Sequence, residues 1–138
     1  MINEKVKDFI NTNDRFSRSS NIQLIHAEPG YAEAELIVTE NALNSRGMVQ
    51  GGAIFTLCDL AFAGAANAGN DGMIAMAGNI TFVRPGTGKR LRAVAREVNR
   101  GSRTGVYDID VFNEADKLVA HTTINGFATG CALLPEEK

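Results

Sequence analysis

Two features of the stretch 44–67 could do chemistry: a pair of adjacent glycines and a lone carboxylate. Gly51 and Gly52 stand where a polar loop gives way to an apolar run, so we expect them at the start of a helix. The first amide N–H groups of a helix have no intrahelical acceptor, and the helix dipole adds roughly half a positive charge there. Because glycine lets a ligand approach the backbone closely, these amides could bind an oxygen on which negative charge develops.

Asp59 is the one charged residue in the apolar run that follows. Aspartate is a poor helix-interior residue, and burying its carboxylate is costly unless it is paired. Something other than folding explains its presence better, although a buried carboxylate that caps a neighbouring loop stays open. Gly51 and Asp59 are eight residues apart, about 12 Å along a helix. One subunit therefore cannot bring both to a single carbonyl group.

The element that carries both features is predicted to be a long helix. Apolar residues recur there at steps of three and four, the spacing of one helix face: Ile54, Leu57, Cys58, Ala61 and Ala65. The opposite side is also mostly apolar, so we expect the helix to be buried on all sides. Thr56, one turn before Asp59, is interpreted as bonding to its own backbone. Glycines and turn formers at 68–72 end the helix.

Six other segments have the alternation or the turn boundaries of strands: 21–27, 31–38, 73–83, 90–98, 104–112 and 118–128. Residues 2–13 are predicted to form a short amphipathic helix, and the polar residues 11–20 a turn-like connection. Because short turns join most consecutive strands, the sheet should be antiparallel. The sequence therefore predicts an α+β hotdog fold, with one long central helix wrapped by a curved antiparallel sheet of about six strands.

Length and composition fit a single domain. We assign residues 1–138 to it, with an N-terminal helix and loop at 1–20 and a tail at 129–138. The net charge of −2 gives no reason to expect nucleic acid, and no apolar run is long enough to span a membrane or to form a signal peptide. Cys58 and Cys131 lack the spacing of a disulfide framework or a metal site, so we expect a cytoplasmic protein without a metal.

The order and spacing of several motifs resemble one family. The pattern Asn44-x-x-Gly47-x-x-Gln50-Gly51-Gly52, with Asp59 seven residues later, resembles the signature of hotdog acyl-CoA thioesterases of the PaaI-like and thioesterase-superfamily-member-2 type. Segments 78–85 and 102–111 resemble the strand and the hairpin that follow that signature. The resemblance extends from about residue 31 to about residue 128.

This resemblance implies an enzyme that hydrolyses acyl-CoA or aryl-CoA thioesters, with no cofactor beyond the coenzyme A of the substrate. The amide of Gly51 would be the main oxyanion donor, helped by the side chain of Asn44, and Asp59 would be the base or the nucleophile. The resemblance also implies a homodimer or a dimer of dimers, in which Asp59 of one chain faces Asn44 and Gly51 of the other.

Two positions depart from the family pattern. Gln50 stands where the family has a histidine thought to orient the loop, and glutamine cannot carry a proton as a base. Residues 75–77 lack the hydroxyl that some relatives use to hold the attacking water. A non-catalytic acyl-CoA-binding protein therefore stays open. A hotdog enoyl-CoA hydratase or dehydratase fits less well, because those sites pair a histidine with a carboxylate and neither His26 nor His121 lies near the motif.

Basic residues are concentrated in one block. Seven of the 14 lie between Arg84 and Arg103, where Glu97 is the only acid. Arginine and lysine are the usual partners of phosphates such as those of coenzyme A. By strand parity one face carries Arg90, Arg92, Arg96 and Arg100, of which we interpret Arg92 and Arg96 as a solvated surface. We expect coenzyme A to contact the start of the long helix and the turn after the basic strand. The candidate residues are Gly52, Arg100, Ser102, Arg103 and Thr104.

Overall fold

The computed structural model describes residues 1–136, so the predicted tail is described except for residues 137 and 138. Its helices are α1 (Ile2–Asn13), α2 (Arg15–Ser19) and α3 (Gly51–Asn67), with a short 3-10 turn at Glu40–Ala42. Its strands are β1 (Ile22–Glu28), β2 (Tyr31–Ile37), β3 (Met73–Phe82), β4 (Arg90–Arg100), β5 (Thr104–Phe112) and β6 (Leu118–Ala128).

The six strands form one antiparallel sheet in the order β1-β2-β4-β5-β6-β3. Helix α3 packs on the sheet and contacts all six strands, whereas α1 packs mainly on β1. The predicted hotdog arrangement is confirmed. Strand β3 lies at one edge of the sheet, which leaves one side of its backbone without a partner strand among residues 1–136.

The core lies between α3 and the concave face of the sheet. Alternating residues of the strands point into it, among them Leu36 of β2 and Ile109 of β5, and they meet Leu57 and Cys58 of the helix. Each such large apolar side chain contributes about 1.5–3 kcal/mol on burial. At Gly64 an added Cβ would lie 3.0 Å from the Cβ of Ala32, so glycine allows the helix to lie close on the sheet.

Two local predictions are wrong. Residues 15–19 form a helix rather than a turn, because the carboxylate of Asp14 accepts a hydrogen bond from the Ser17 amide at 3.1 Å and so caps its start. In β4 the register shifts between Glu97 and Asn99, which is a β-bulge. The extra residue reverses the parity, so Arg100 points toward the hydroxyl of buried Tyr107 and not to the outer face of Arg90.

No helix within residues 1–136 is long and apolar enough to cross a membrane.

Candidate active site

The prediction that α3 is buried on all sides is wrong for the single chain. One stripe of the helix is exposed or half-buried, and its members recur at steps of three and four: Gly52, Thr56, Asp59 and Ala63. The hydroxyl of Thr56 donates to the carbonyl oxygen of Gly52 at 2.8 Å, as predicted, so it does not bind Asp59. The carboxylate therefore lies on an open helix face and not in the core.

Asp59 lines a pocket of about 350 Å³, here called the Asp59 pocket. Its walls come from α1, α3, the start of β3 and the C-terminal segment, with Phe9, Phe62, Met73, Ile74 and Leu133 among the apolar members. The side chain of Asp59 is exposed in the single chain, but the pocket walls remove part of its hydration, and this partial desolvation raises the pKa of Asp59; the negative charge of Asp14 raises that pKa further. The pocket thus places a carboxylate beside a largely apolar space.

The loop before α3 is held by Asn44. Its Oδ1 accepts from the amides of Arg46 at 2.9 Å and Met48 at 3.1 Å, and Gly47 takes a φ of +75° that favours glycine. The NH₂ group of the same side chain has no acceptor within the described residues. Asn44 therefore uses its oxygen to shape the loop, and its two N–H donors have no acceptor among the described residues.

Gln50 caps the start of α3. Its Oε1 accepts from the amide of Gly52, and its carbonyl oxygen accepts from Ala53 at 2.9 Å and Ile54 at 3.2 Å. Of the first four amides of the helix, only that of Gly51 has no acceptor in the part of the chain that the structure describes. The donor predicted at Gly51 is free, whereas the Gly52 amide proposed to contact coenzyme A is occupied by the Gln50 cap.

Asn44 and Gly51 line a second cavity of about 410 Å³, here called the Gly51 groove. Its other wall is the end of β3 and the segment that follows, including Phe82 and Arg84. A hydrogen bond of 2.9 Å from the amide of Val49 to the carbonyl oxygen of Gly86 ties this segment to the loop. Asp59 does not line this groove, so one chain holds the predicted catalytic groups in two separate cavities.

The sequence profile of the thioesterase superfamily matches residues 46–120, more than half of the chain, including Gly51 and Asp59. The chain belongs to the thioesterase superfamily. It is 37% identical over 118 residues to an Archaeoglobus fulgidus protein named putative esterase, a match that covers 85% of this chain and 77% of that protein. It is 38% identical over 109 residues to the Escherichia coli acyl-coenzyme A thioesterase PaaI, with 78% of each chain covered.

Solved structures of the thioesterase superfamily have the same fold. The E. coli PaaI structure superposes with a TM-score of 0.90 at 32% identity and covers 95% of this chain and 96% of its own. A Streptococcus mutans protein solved bound to acetyl-CoA superposes with a TM-score of 0.74 at 29% identity, over 81% of this chain and 91% of its own.

The predicted coenzyme A turn lies away from the Gly51 groove within one chain. Arg100 contacts the C-terminal end of α3: its Nη1 lies 3.5 Å from the carbonyl oxygen of Ala66, and its Nη2 lies 3.8 Å from Asp71. That end is fifteen residues from Gly51, about 22 Å along the helix. Arg100 already has protein partners, and a contact of Ser102, Arg103 or Thr104 with coenzyme A stays a prediction.

The interpretation of Arg92 and Arg96 as outer-face residues is confirmed. Arg92 pairs with Glu33 on the neighbouring strand at 3.1 Å, and the guanidinium of Arg96 lies 5.0 Å above the ring of Tyr31. Such cross-strand pairs stabilise the sheet and leave these arginines little reason to bind a phosphate.

Two charged residues at the cavities were missed in the sequence. Arg84 lines the Gly51 groove, is exposed, and makes no ion pair among the described residues. Asp14 lines the Asp59 pocket. Arg84 belongs to the basic block, which was a usable signal, but its place beside Gly51 depends on long-range packing. Nothing in the local sequence relates Asp14 to Asp59.

Proposed function

We propose that this chain is an acyl-CoA thioesterase that hydrolyses acyl- or aryl-CoA to the free acid and coenzyme A. The proposal rests on the free Gly51 amide at the start of α3, which lines the same groove as Asn44 with its unpaired NH₂ group. Two such donors can stabilise the oxyanion that forms when a thioester carbonyl is attacked, and one well-placed donor contributes about 3–4 kcal/mol. Membership of the thioesterase superfamily supports the same reaction.

Asp59 supplies the second half of the chemistry. As a base it takes a proton from water while the oxygen attacks the carbonyl, and the C–S bond then breaks to release the thiolate of coenzyme A, which takes up the proton. As a nucleophile its carboxylate attacks the thioester carbonyl, and the C–S bond breaks to release the coenzyme A thiolate and leave an anhydride. Water then hydrolyses the anhydride to the free acid and the regenerated carboxylate, and the proton released goes to the thiolate. Both routes need the ionised carboxylate and the same pair of oxyanion donors, so the geometry serves either one.

We propose that the two halves meet across a homodimer, because one chain keeps them apart. Edge strand β3 offers the contact surface. Residues 73–83 carry no charge, and their side chains include Ile74 and Met76, each 57% exposed, and Phe82 and Val83, 50% and 49% exposed. Natural proteins usually protect an exposed edge with charges or proline, so an uncharged apolar edge favours pairing with another strand.

The position of the two cavities along β3 supports this dimer. The Asp59 pocket includes Ile74 at the start of the strand, and the Gly51 groove includes Phe82 at its end. In an antiparallel pair of identical strands centred near Gly78, Ile74 of one chain stands opposite Phe82 of the other, because each lies four residues from the centre. Two-fold pairing therefore places the pocket of one protomer beside the groove of its partner, twice in each dimer.

We infer that Arg84 binds a phosphate of coenzyme A. It is an exposed arginine at the groove that holds the oxyanion donors, and it has no competing carboxylate among the described residues. The acetyl-CoA bound to the S. mutans neighbour and the acyl-CoA thioesterase name of the E. coli relative support a ligand of this class.

The test of the proposed function is thiol release from a panel of acyl- and aryl-CoA thioesters by the wild-type protein and by Asp59→Asn. We expect turnover by the wild type and a loss of at least about a hundredfold in kcat for the variant, the usual scale of an essential catalytic group. Saturable acyl-CoA binding without thiol release would instead support a binding protein. Equal rates for the two proteins would overturn the role of Asp59.

A thermal control separates catalysis from folding. The pKa of Asp59 is raised in the folded chain, so its ionised form costs free energy at neutral pH, and this cost disappears as pH falls through that pKa. Asp59→Asn removes the charge. The Tm of the variant at pH 7 should therefore equal or exceed that of the wild type, and a lower Tm would show that Asp59 stabilises the fold.

A further inference from the structure

The charged residues that line the Asp59 pocket are all acidic. Two of its lining residues are charged, Asp59 and Asp14, and both are acids; no lysine, arginine or histidine of residues 1–136 lines it. The other walls are mostly apolar, with Phe9, Phe62 and Leu133 among them. A space of about 350 Å³ is large enough for a short acyl chain or a single aromatic ring.

Asp14 has one oxygen to spare. It lies between α1 and α2, where its Oδ1 caps α2 by accepting from the Ser17 amide at 3.1 Å. Its Oδ2 has no hydrogen-bond or ion-pair partner among the residues that the structure describes. Capping alone requires only a side-chain acceptor, which asparagine or serine supplies equally well. The negative charge of Asp14 is therefore not required for capping α2.

We propose that Asp14 is a specificity-determining residue that makes the Asp59 pocket select uncharged acyl groups and reject acyl groups that end in a carboxylate. The proposal rests on the thioesterase function proposed above and names its substrate class: neutral, mainly apolar acyl- or aryl-CoA. A terminal carboxylate in this pocket would lose its hydration and meet two like charges, with no cation of the same chain to offset them.

The same charges act on the product. Hydrolysis of a neutral thioester in this pocket creates a free acid that ionises at neutral pH, next to Asp59 and near Asp14. Like charges repel at this range, and the repulsion is stronger beside apolar walls than in water. The acid that forms should therefore bind weakly and leave, while coenzyme A departs separately from the Gly51 groove.

The test compares Asp14→Asn with Asp8→Asn in the full-length protein. Asparagine keeps the cap of α2 and removes the charge. Asp8 lies exposed on α1 and does not line the pocket, so Asp8→Asn removes an equal charge from the same region as a matched control. Two substrates of similar length differ at the acyl terminus, hexanoyl-CoA and glutaryl-CoA, and kcat/KM is measured for each.

We expect the wild type and Asp8→Asn to prefer hexanoyl-CoA strongly. Asp14→Asn should raise the ratio of kcat/KM for glutaryl-CoA to kcat/KM for hexanoyl-CoA about tenfold, the scale of losing one like charge in a partly solvated site. Inhibition by free hexanoate should also strengthen in Asp14→Asn. An unchanged ratio of the two substrates would overturn the proposal and leave the thioesterase function intact.

A binding measurement keeps the proposal testable if no turnover is found. Calorimetric titration with two non-hydrolysable thioethers, S-hexyl-CoA and S-(4-carboxybutyl)-CoA, reports the same selectivity without catalysis. Asp14→Asn should reduce the ratio of the Kd for S-(4-carboxybutyl)-CoA to the Kd for S-hexyl-CoA about tenfold, whereas Asp8→Asn should leave this ratio unchanged. Equal affinities of the wild type for the two thioethers would overturn the selectivity, whatever the result of the hydrolysis assay.

Discussion

At the scale of single residues, the start of α3 shows how a helix can stay capped and still keep a free amide donor. The Gly52, Ala53 and Ile54 amides bond to Gln50, and the Gly51 amide has no acceptor among the described residues. The cap requires only that the side chain of residue 50 accept a hydrogen bond. Glutamine can do so, hence the histidine of the family pattern is not needed for this task.

Arg84 gives the residue-scale prediction. Arg84→Gln should raise KM for an acyl-CoA several-fold with little change in kcat, because a phosphate contact far from the reacting carbonyl contributes equally to ground-state and transition-state binding. The same acyl group on N-acetylcysteamine, which has no phosphate, should be hydrolysed equally by variant and wild type. Steady-state kinetics with both thioesters makes the measurement.

Arg96→Gln is the matched control, since Arg96 stacks on Tyr31 at the outer face. It should leave both KM values unchanged. If Arg84→Gln raised KM equally for both thioesters, Arg84 would act on the shape of the groove and not on a phosphate. If it weakened neither, the contact would lie elsewhere, and the turn with Arg103 would be the next candidate.

At the scale of elements, β3 is the edge strand that carries several exposed apolar side chains. Met76→Lys places a charge on its exposed apolar edge, where a partner strand would have to bury it. We expect this variant to be monomeric by light scattering and to lose hydrolysis together with dimerisation. The wild type should have twice the mass of one chain.

Val98→Lys tests whether a lysine disrupts the dimer only when it lies on edge strand β3. Val98 is 59% exposed, but it lies at the bulge of β4, an interior strand of the sheet. A lysine there should leave both the mass and the activity unchanged. A dimeric, active Met76→Lys protein would show that β3 is not the interface.

Much of the fold could be predicted because its signals are local. The alternation in β2 and the glycines and turn formers around α3 set most element boundaries. The short helix α2 and the bulge near Val98 were missed, since one depends on a single cap at Asp14 and the other on pairing with β5. The burial of α3 was overestimated because one stripe of the helix, which includes Thr56 and Asp59, does not face the core.

The candidate site was predictable in part for the same reason. Asn44, Gly51 and Asp59 belong to one ordered motif, so spacing and resemblance were enough to select them. Asp14 and Arg84 reach the cavities through the packing of α1 and through the bond between Val49 and Gly86, which join distant parts of the sequence. No local pattern records such contacts.

At the scale of the whole molecule, we propose that each active site is shared by two chains. Asp59 lies near one end of β3, and Asn44 and Gly51, the proposed oxyanion donors, lie near the other. A monomer would hold all the parts and still lack a site. A two-fold dimer would hold two sites, each with Asp59 from one chain and the donors from its partner.

Mixing two inactive variants tests this claim most directly. Asp59→Asn removes the carboxylate. Asn44→Asp keeps the oxygen that shapes the loop and replaces the NH₂ donor with a like charge. Asn113 shapes the β5–β6 turn through the same kind of contacts, with its Oδ1 accepting from Ala115 and Lys117, so Asn113→Asp is the control and should stay active.

The two inactive variants are unfolded together in equal amounts, refolded and assayed for thiol release. Half of the dimers should then be mixed, and one of the two sites in each mixed dimer should combine an intact Asp59 with an intact Asn44. We expect a return to about 25% of wild-type activity, because half of the dimers have half of their sites intact. No return of activity, in a mixture shown by native mass spectrometry to contain mixed dimers, would contradict a site shared between chains.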